Sequence, residues 1–391
     1  MKKVLTFLVL ASFFLTAPLQ QARAQGHTQT ADAQTPPPKL RKVLRPVAGR
    51  YIVVLKDDTP GADVPAVAAS LARAHGGRLR QTFRYAPKGF SVALPEPAAE
   101  ALSRDPRVEF VEEVAEVEVT GVESTPFESF VFWGLDRIDQ RDGLDQFYNY
   151  NRVGNGVHAY VIDCGVWLPH VDFQGRANAV YDYFGEDGQG DDQHGTFVAG
   201  VLGSRRWGVA KNVRLHSVRV LDLSNADGAT VVRGSSESIA AGINFVAGNH
   251  LNPAVANLSA GVRGGSASVD NAANALVNTY GVTLVTGAGN ASENLNTVAY
   301  SPQRVASVIT VAATDGNDNR ASYSNYGSAV DLFAPGGQAS LNQYIPVPAF
   351  GTIDGREGFT GTSASAPHVA GVAAQYLEYD PAASPATVSG V

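Results

Sequence analysis

The sequence predicts an α/β protein in three layers: a mainly parallel sheet between helices, preceded by a small α+β unit. Three observations carry this expectation. From Trp133 onward, short apolar runs alternate with segments of helical spacing, the pattern of a parallel sheet covered on both faces. Residues 49–119 follow a separate order, βαββαβ, which suits a split βαβ, ferredoxin-like sandwich. Asp163 and Asn290 close two of the later apolar runs, and open α/β sheets gather their sites beyond the carboxyl ends of strands.

The first 48 residues read as targeting and spacer sequence. Lys2 and Lys3 precede an apolar run at 4–17 that is short for a bilayer span, and Ala22-Arg23-Ala24 offers a small-x-small cleavage pattern. Residues 1–24 are therefore expected to be a secretory signal peptide, and the polar stretch 25–48, with Pro36, Pro37 and Pro38, a linker. No later segment is apolar enough to span a membrane, so the expected product is secreted and extracellular. The single cysteine, Cys164, rules out an intrachain disulfide. A net charge of −7 without a basic run argues against nucleic acid as a partner.

In the small unit, RYIVVLK (50–56) is β-rich. Residues 64–75 have helical spacing in Val67, Ala68, Leu71 and Ala74, and stop at Gly76-Gly77. Residues 79–85 and 89–94 read as a strand pair, 97–104 as a short helix and 108–119 as a last strand. The first 123 residues hold 16 Lys+Arg and 13 Asp+Glu, the remaining 268 hold 14 and 24. Charges of +3 and −10 favour association of the two parts, through a screened, long-range attraction. The join at 120–130 has turn residues and no period, and is the expected processing region.

In the larger part, 131–391, strands are expected at 157–162, 213–221, 254–258, 282–286 and 305–312. Helices are expected at 196–202, 236–247, 268–280 and 363–377. The stretch GFTGTSASAPHVAGVA (358–373) places Ser363 where helical spacing begins, after two glycines, with Pro367 in the first turn. Unpaired N–H groups there favour an oxyanion beside the serine. A capped small-residue helix would look the same. Asp163, at the end of HAYVID, is costly to bury unless paired, or it is a loop cap. His194, in QHGTFVAG (193–200), is a general base or a helix-start residue. Asn290, ending LVTGAGN, donates to an oxyanion or bonds its own loop.

Together the stretches YVIDCG (160–165), QHGTFVAG (193–200) and GTSASAPHVAG (361–371), with NLSAG (257–261) and GAGN (287–290), resemble the subtilisin-like serine peptidases, and the proteinase-K-like branch in particular. The order Asp, His, Ser also differs from the Ser, Asp, His of the lipase-like hydrolases. The small unit resembles the propeptide of the same family through 50–55, 89–94 and VEFVE at 108–112.

The resemblance implies a subtilisin-like fold and a secreted, monomeric serine endopeptidase. Its triad would be Asp163, His194 and Ser363, with Asn290 in the oxyanion hole, and 49–119 would be its inhibitory, folding-assisting propeptide. It places Ser259, Ala260 and Gly261 on one wall of the primary substrate pocket and Gly287, Ala288 and Gly289 on the other. Walls this small suggest a preference for large apolar or aromatic residues. It also implies structural calcium, held by Asp331 with the backbone carbonyls of Ala306 and Val308, and no catalytic metal. The chain departs from the pattern at Cys164, where the family has Thr or Ser; a thiol donates weakly, so its bond to Asp163 is expected to be poorer. The segment between Asp222 and Ile239 is longer than usual. Only 28 residues follow Ser363, where the family continues for several dozen, so a final helix and its sheet contacts are expected to be missing.

Overall fold

The computed structural model describes residues 39–118, 124–126, 132–190, 192–226 and 229–390. The expected signal peptide, most of the linker and most of the processing region lie outside them.

The small unit is a four-stranded antiparallel sheet. Pro46–Leu55 lies between Val108–Glu118 and Gly89–Ala93, and Arg78–Phe83 forms the far edge. Helices Val64–Ala74 and Glu96–Ser103 cover one face, burying Leu71, Ala68 and Leu102 against Tyr51, Val53, Phe90 and Val111. This is the expected βαββαβ sandwich. It begins earlier than the expected boundary at 49. Leu40–Arg41 pairs in parallel with Val111 and Glu112, and the second strand already starts at Pro46. Parts of the proposed linker are thus sheet, held by bonds such as Val111 N to Lys39 O at 2.6 Å.

The larger part is built on seven parallel strands. Their order is Leu332–Pro335, Ile309–Thr314, Thr283–Gly287, Ala254–Leu258, His158–Asp163, Arg214–Arg219 and Ala177–Asp182. Strand pleating sends alternate residues to opposite faces. Ala159 and Val161 pack with helices Gln193–Gly203 and Thr362–Tyr379, while Tyr160 and Ile162 pack with Ser236–Asn249 and Ala267–Asn278. The helices start where the sequence supplies caps: Asp192 accepts from His194 N, Ser266 accepts from Val269 N, and Ser235 forms a capping box with Ser238.

The uncovered face of the small sheet lies on the two helices Ser236–Asn249 and Ala267–Asn278. Ile52, Val54, Phe83, Phe110 and Val114 pack there with Ala241. Two buried carboxylates cross this interface in opposite directions. Glu112 accepts from Ser266 Oγ (2.6 Å), Ala267 N (2.7 Å) and Ser268 Oγ (2.6 Å), satisfying the start of the second helix. Glu237, in the first turn of the other helix, accepts from Arg50, from Ser91 Oγ at 2.8 Å and from Tyr183 Oη at 2.7 Å.

The small unit also continues a sheet of the larger one. Glu116, Val117 and Glu118 pair antiparallel with Ser235, Gly234 and Arg233, on a hairpin made of Leu221–Ala226 and Ala229–Ser235. Shortly after, Ser124–Pro126 pairs antiparallel with Glu357, Gly358 and Phe359, immediately before the Ser363 helix.

Candidate active site

Asp163 is the last residue of the central strand His158–Asp163 and is fully buried. Its Oδ1 accepts from the Cys164 amide at 2.8 Å and from His194 Nδ1 at 2.7 Å. His194 stands in the first turn of its helix, fixed through its own backbone N–H to the Asp192 cap at 2.8 Å. Burial opposes a charge on this imidazole, but the Asp163 carboxylate outweighs it, and the His194 pKa lies above its ordinary value. Its Nε2 is buried without a hydrogen-bond partner among the described residues.

Ser363 is the second residue of helix Thr362–Tyr379, which packs beside the His194 helix so closely that a Cβ at Gly371 would sit 3.2 Å from Leu202 O. Gly361, at φ 130°, gives the backbone a turn that side chains resist. In this resting arrangement the Ser363 hydroxyl donates to Ser259 O at 3.3 Å. Asn290 follows the strand Thr283–Gly287, and its Oδ1 accepts from both Thr362 N and Thr362 Oγ1 at 2.9 Å. The opposite, donating end of that amide faces Gly361, where an added Cβ would come within 3.3 Å of Nδ2.

The thiol of Cys164 lies against the carboxylates of Asp163 and Asp192. It accepts from Gly195 N at 3.2 Å and lies 3.7 Å from Asp192 O. Asp163 Oδ2 is left without a partner among the described residues. Burial first, then Asp163 and Asp192, push the Cys164 pKa well up, so the buried group is an inert thiol. Asp163, Cys164 and His194 also form the one cluster of metal-ligating side chains among the described residues, but one carboxylate oxygen is already committed to the imidazole.

Ser259, Ala260, Gly261, Gly287 and Gly289 line one small pocket with Asn290 and Ser363. Ala288 does not. It is fully buried, and its carbonyl accepts from Asn325 Nδ2 at 2.9 Å. Three lining or supporting residues escaped the sequence reading. Asn325 braces the Asn290 loop, accepting from Ala291 N and Glu293 N at 3.1 and 2.8 Å. Tyr300 lines the pocket and bonds Glu293. Gln303 lies between the walls, its Nε2 2.8 Å from Gly287 O and 3.2 Å from Ala260 O. A loop Asn, Tyr or Gln carries no sequence signal that separates such a role from an exposed polar residue.

The other expected set, Asp331, Ala306 and Val308, lines a second cavity away from the serine. One carboxylate oxygen of Asp331 accepts from Thr310 N at 2.8 Å.

A carboxylate, an imidazole and a helix-start serine on one end of a parallel sheet are the arrangement of a serine hydrolase. Comparison with known proteins narrows this. Residues 154–391 match the model of the subtilase family, and residues 50–120 match that of peptidase inhibitor I9. An extracellular serine proteinase of Thermus sp. is 41% identical over 364 residues, spanning 88% of this chain and 83% of its own. Proteinase R of Parengyodontium album is 36% identical over 349 residues, 88% of this chain and 82% of its own. Among solved structures, a cold-adapted subtilisin-like serine proteinase covers 66% of this chain and 89% of its own, at 42% identity and a TM-score of 0.59. Fervidolysin from Fervidobacterium pennivorans, 21% identical with a TM-score of 0.68 over 88% of this chain and 57% of its own, shares the fold. The chain belongs to the subtilase family. It is a subtilisin-like serine peptidase that carries an inhibitor-type propeptide domain.

Proposed function

We propose that the chain is a secreted, monomeric serine endopeptidase made as a self-processing zymogen, with Asp163, His194 and Ser363 as its triad. The observation that carries this reading is the 2.7 Å bond between buried Asp163 and His194, whose Nε2 has no hydrogen-bond partner among the described residues. In the reaction the Ser363 hydroxyl leaves Ser259 O, gives its proton to His194 Nε2 and bonds the peptide carbonyl carbon. Asp163 holds the imidazole tautomer and stabilises the imidazolium. The Asn290 amide and the Ser363 N–H receive the oxyanion. Collapse breaks the C–N bond as His194 returns the proton to the amine. Water then releases the acyl group by the same steps in reverse.

The strand pairings support residues 49–119 as an inhibitory propeptide bound along the substrate path. Residues 116–118 lie on one peptidase strand and 124–126 on another, which supports a processed bond between those two segments, within the 120–130 region expected from sequence or just before it. Extended pairing of this kind is how a peptide backbone is recognised at a sheet edge. The uncharged walls suit an uncharged residue before the scissile bond, and their width taken alone would admit a large apolar or aromatic one. Secretion rests on the signal-like residues 1–24 and on relatives named as extracellular; among the described residues no helix is long and apolar enough to cross a membrane. Asp331, Ala306 and Val308 share one cavity, and one carboxylate with neutral backbone oxygens would suit structural calcium.

Intact-mass measurement of the exported protein, with and without Ser363→Ala, tests this reading. Wild type is expected to lose its first ~120 residues while the variant keeps its propeptide. Two intact products in folded, soluble form would overturn self-processing.

A further inference from the structure

The pocket before the scissile bond has a polar floor. Gln303 is 3% exposed. Its Nε2 lies 2.8 Å from Gly287 O, 3.2 Å from Ala260 O and 3.1 Å from Thr286 Oγ1. Gly287 belongs to one wall and Ala260 to the other, so the amide bridges them. All three neighbours act as acceptors: two are carbonyls, and the Thr286 hydroxyl donates its own proton to Leu258 O at 2.8 Å. Only nitrogen satisfies that position, which fixes the amide orientation. Oε1 is then a buried acceptor without a partner among the described residues. The backbone is anchored as well, since Thr310 Oγ1 donates to Gln303 O at 2.9 Å. Gly261 makes room for the amide, because a Cβ there would come within 2.6 Å of Nε2.

We infer that Gln303 sets the primary specificity of this peptidase. Its amide closes the pocket to large apolar and aromatic residues, and its Oε1 selects a short side chain that donates a hydrogen bond: threonine, serine or asparagine. The inference rests on the peptidase reading above and revises the preference that the small walls alone suggest. A donor reaching Oε1 satisfies a buried acceptor, whereas a methyl group of the same size leaves it unpaired. The free space in the pocket, about 50 Å³, is correspondingly small.

The chain's own sequence agrees. Between the two paired segments of the processing region stand Val119, Thr120, Gly121, Val122 and Glu123. None is aromatic or long and apolar, and Thr120 is the one that carries a short neutral donor.

The test is a set of fluorogenic peptides differing only at the residue before the scissile bond, in matched pairs Thr/Val and Asn/Leu, with Phe added. They are assayed on the protein produced from the full chain. Wild type is expected to favour Thr over Val and Asn over Leu by about tenfold in kcat/KM, with Phe poorest. Gln303→Met fills the same space without an acceptor, so it keeps Phe excluded and collapses both pairs to near unity. Gln303→Ala opens the floor and raises Phe at least about tenfold. Wild type that cuts best after Phe or Leu would overturn the inference, as would a Thr/Val ratio unchanged in Gln303→Met. Should either variant fail to fold, the wild-type ratios decide. Parallel labelling with a fluorophosphonate separates the two failures. An unlabelled protein that cuts no peptide sinks the peptidase reading and this inference with it; a labelled one that prefers Phe sinks the inference alone.

Discussion

Glu112 reaches across from the propeptide sheet to the start of helix Ala267–Asn278, where it accepts from Ser268 Oγ at 2.6 Å. It also accepts from Ser266 Oγ and the Ala267 amide, adding a carboxylate to a helix start that Ser266 caps. The acid is 2% exposed, so each lost bond leaves a buried donor unpaired. In the full chain carrying Ser363→Ala, Glu112→Ala is expected to destabilise the joined domains by about 2–3 kcal/mol. Calorimetry or denaturant melting measures it, and an unchanged transition would show that the cap contributes little.

The Asp163–His194 pair makes a prediction about pH. The reaction needs neutral His194, and the carboxylate raises the imidazole pKa against the effect of burial. Activity is therefore expected to fall on the acid side through a pKa above the ordinary ~6.5. Asp163→Asn removes the main opposing charge, leaving burial against Asp192 alone, and the limb should move to lower pH. Turnover should drop about 10⁴-fold, the loss reported for the equivalent change in another Ser-His-Asp enzyme. A kcat/KM profile with the same limb in both proteins would mean that another group controls it.

Much of the site was legible because its chemistry needs particular residues at strand and helix ends. Asp163 and Asn290 close strand-like runs, while His194 and Ser363 stand where helical spacing begins. The helix at 236 was legible for a similar reason, its serine cap preceding an apolar stripe. Edge strands were harder. Ala177–Asp182 and Leu332–Pro335 are partly exposed and lack the continuous apolar run that marks a strand buried on both faces. The strand expected at 305–312 begins only at Ile309, because Val305 and Val308 close a turn, Val308 N bonding Val305 O at 2.9 Å. Gln303 and Asn325 work through contacts far along the chain, which no local pattern records.

Calcium gives a further prediction. Asp331 lines the cavity shared with Ala306 and Val308, while one of its oxygens already accepts from Thr310 N. Calcium at 100–1,000 times its Kd is expected to stabilise the protein by about 3–4 kcal/mol over the chelated form. Asp331→Asn keeps an acceptor for Thr310 and loses the charge. Its melting temperature should then respond much less to calcium or to a chelator. An equal response in both proteins would place the ion elsewhere.

The last prediction concerns a histidine pair outside the site. His158 Nδ1 and His216 Nε2 lie 2.8 Å apart on neighbouring strands, with Tyr160 stacked on His216 at 4.7 Å between ring centroids. Burial first, then His158 and Arg214, lower the His216 pKa to about 4, and burial with Arg214 lowers that of His158. The unfolded chain binds these protons near pH 6.5 and the folded one only at lower pH. Between those values the unfolded state holds more protons, so the stabilisation present above about 6.5 is lost as the pH falls towards 4. His216→Gln removes the titration and keeps a polar partner for His158. In the Ser363→Ala background, where autolysis cannot interfere, its stability loss between pH 7 and 4.5 should be smaller than that of the parent by about 2 kcal/mol. Matching losses, measured by melting across that range, would show that the acid sensitivity comes from the carboxylates instead.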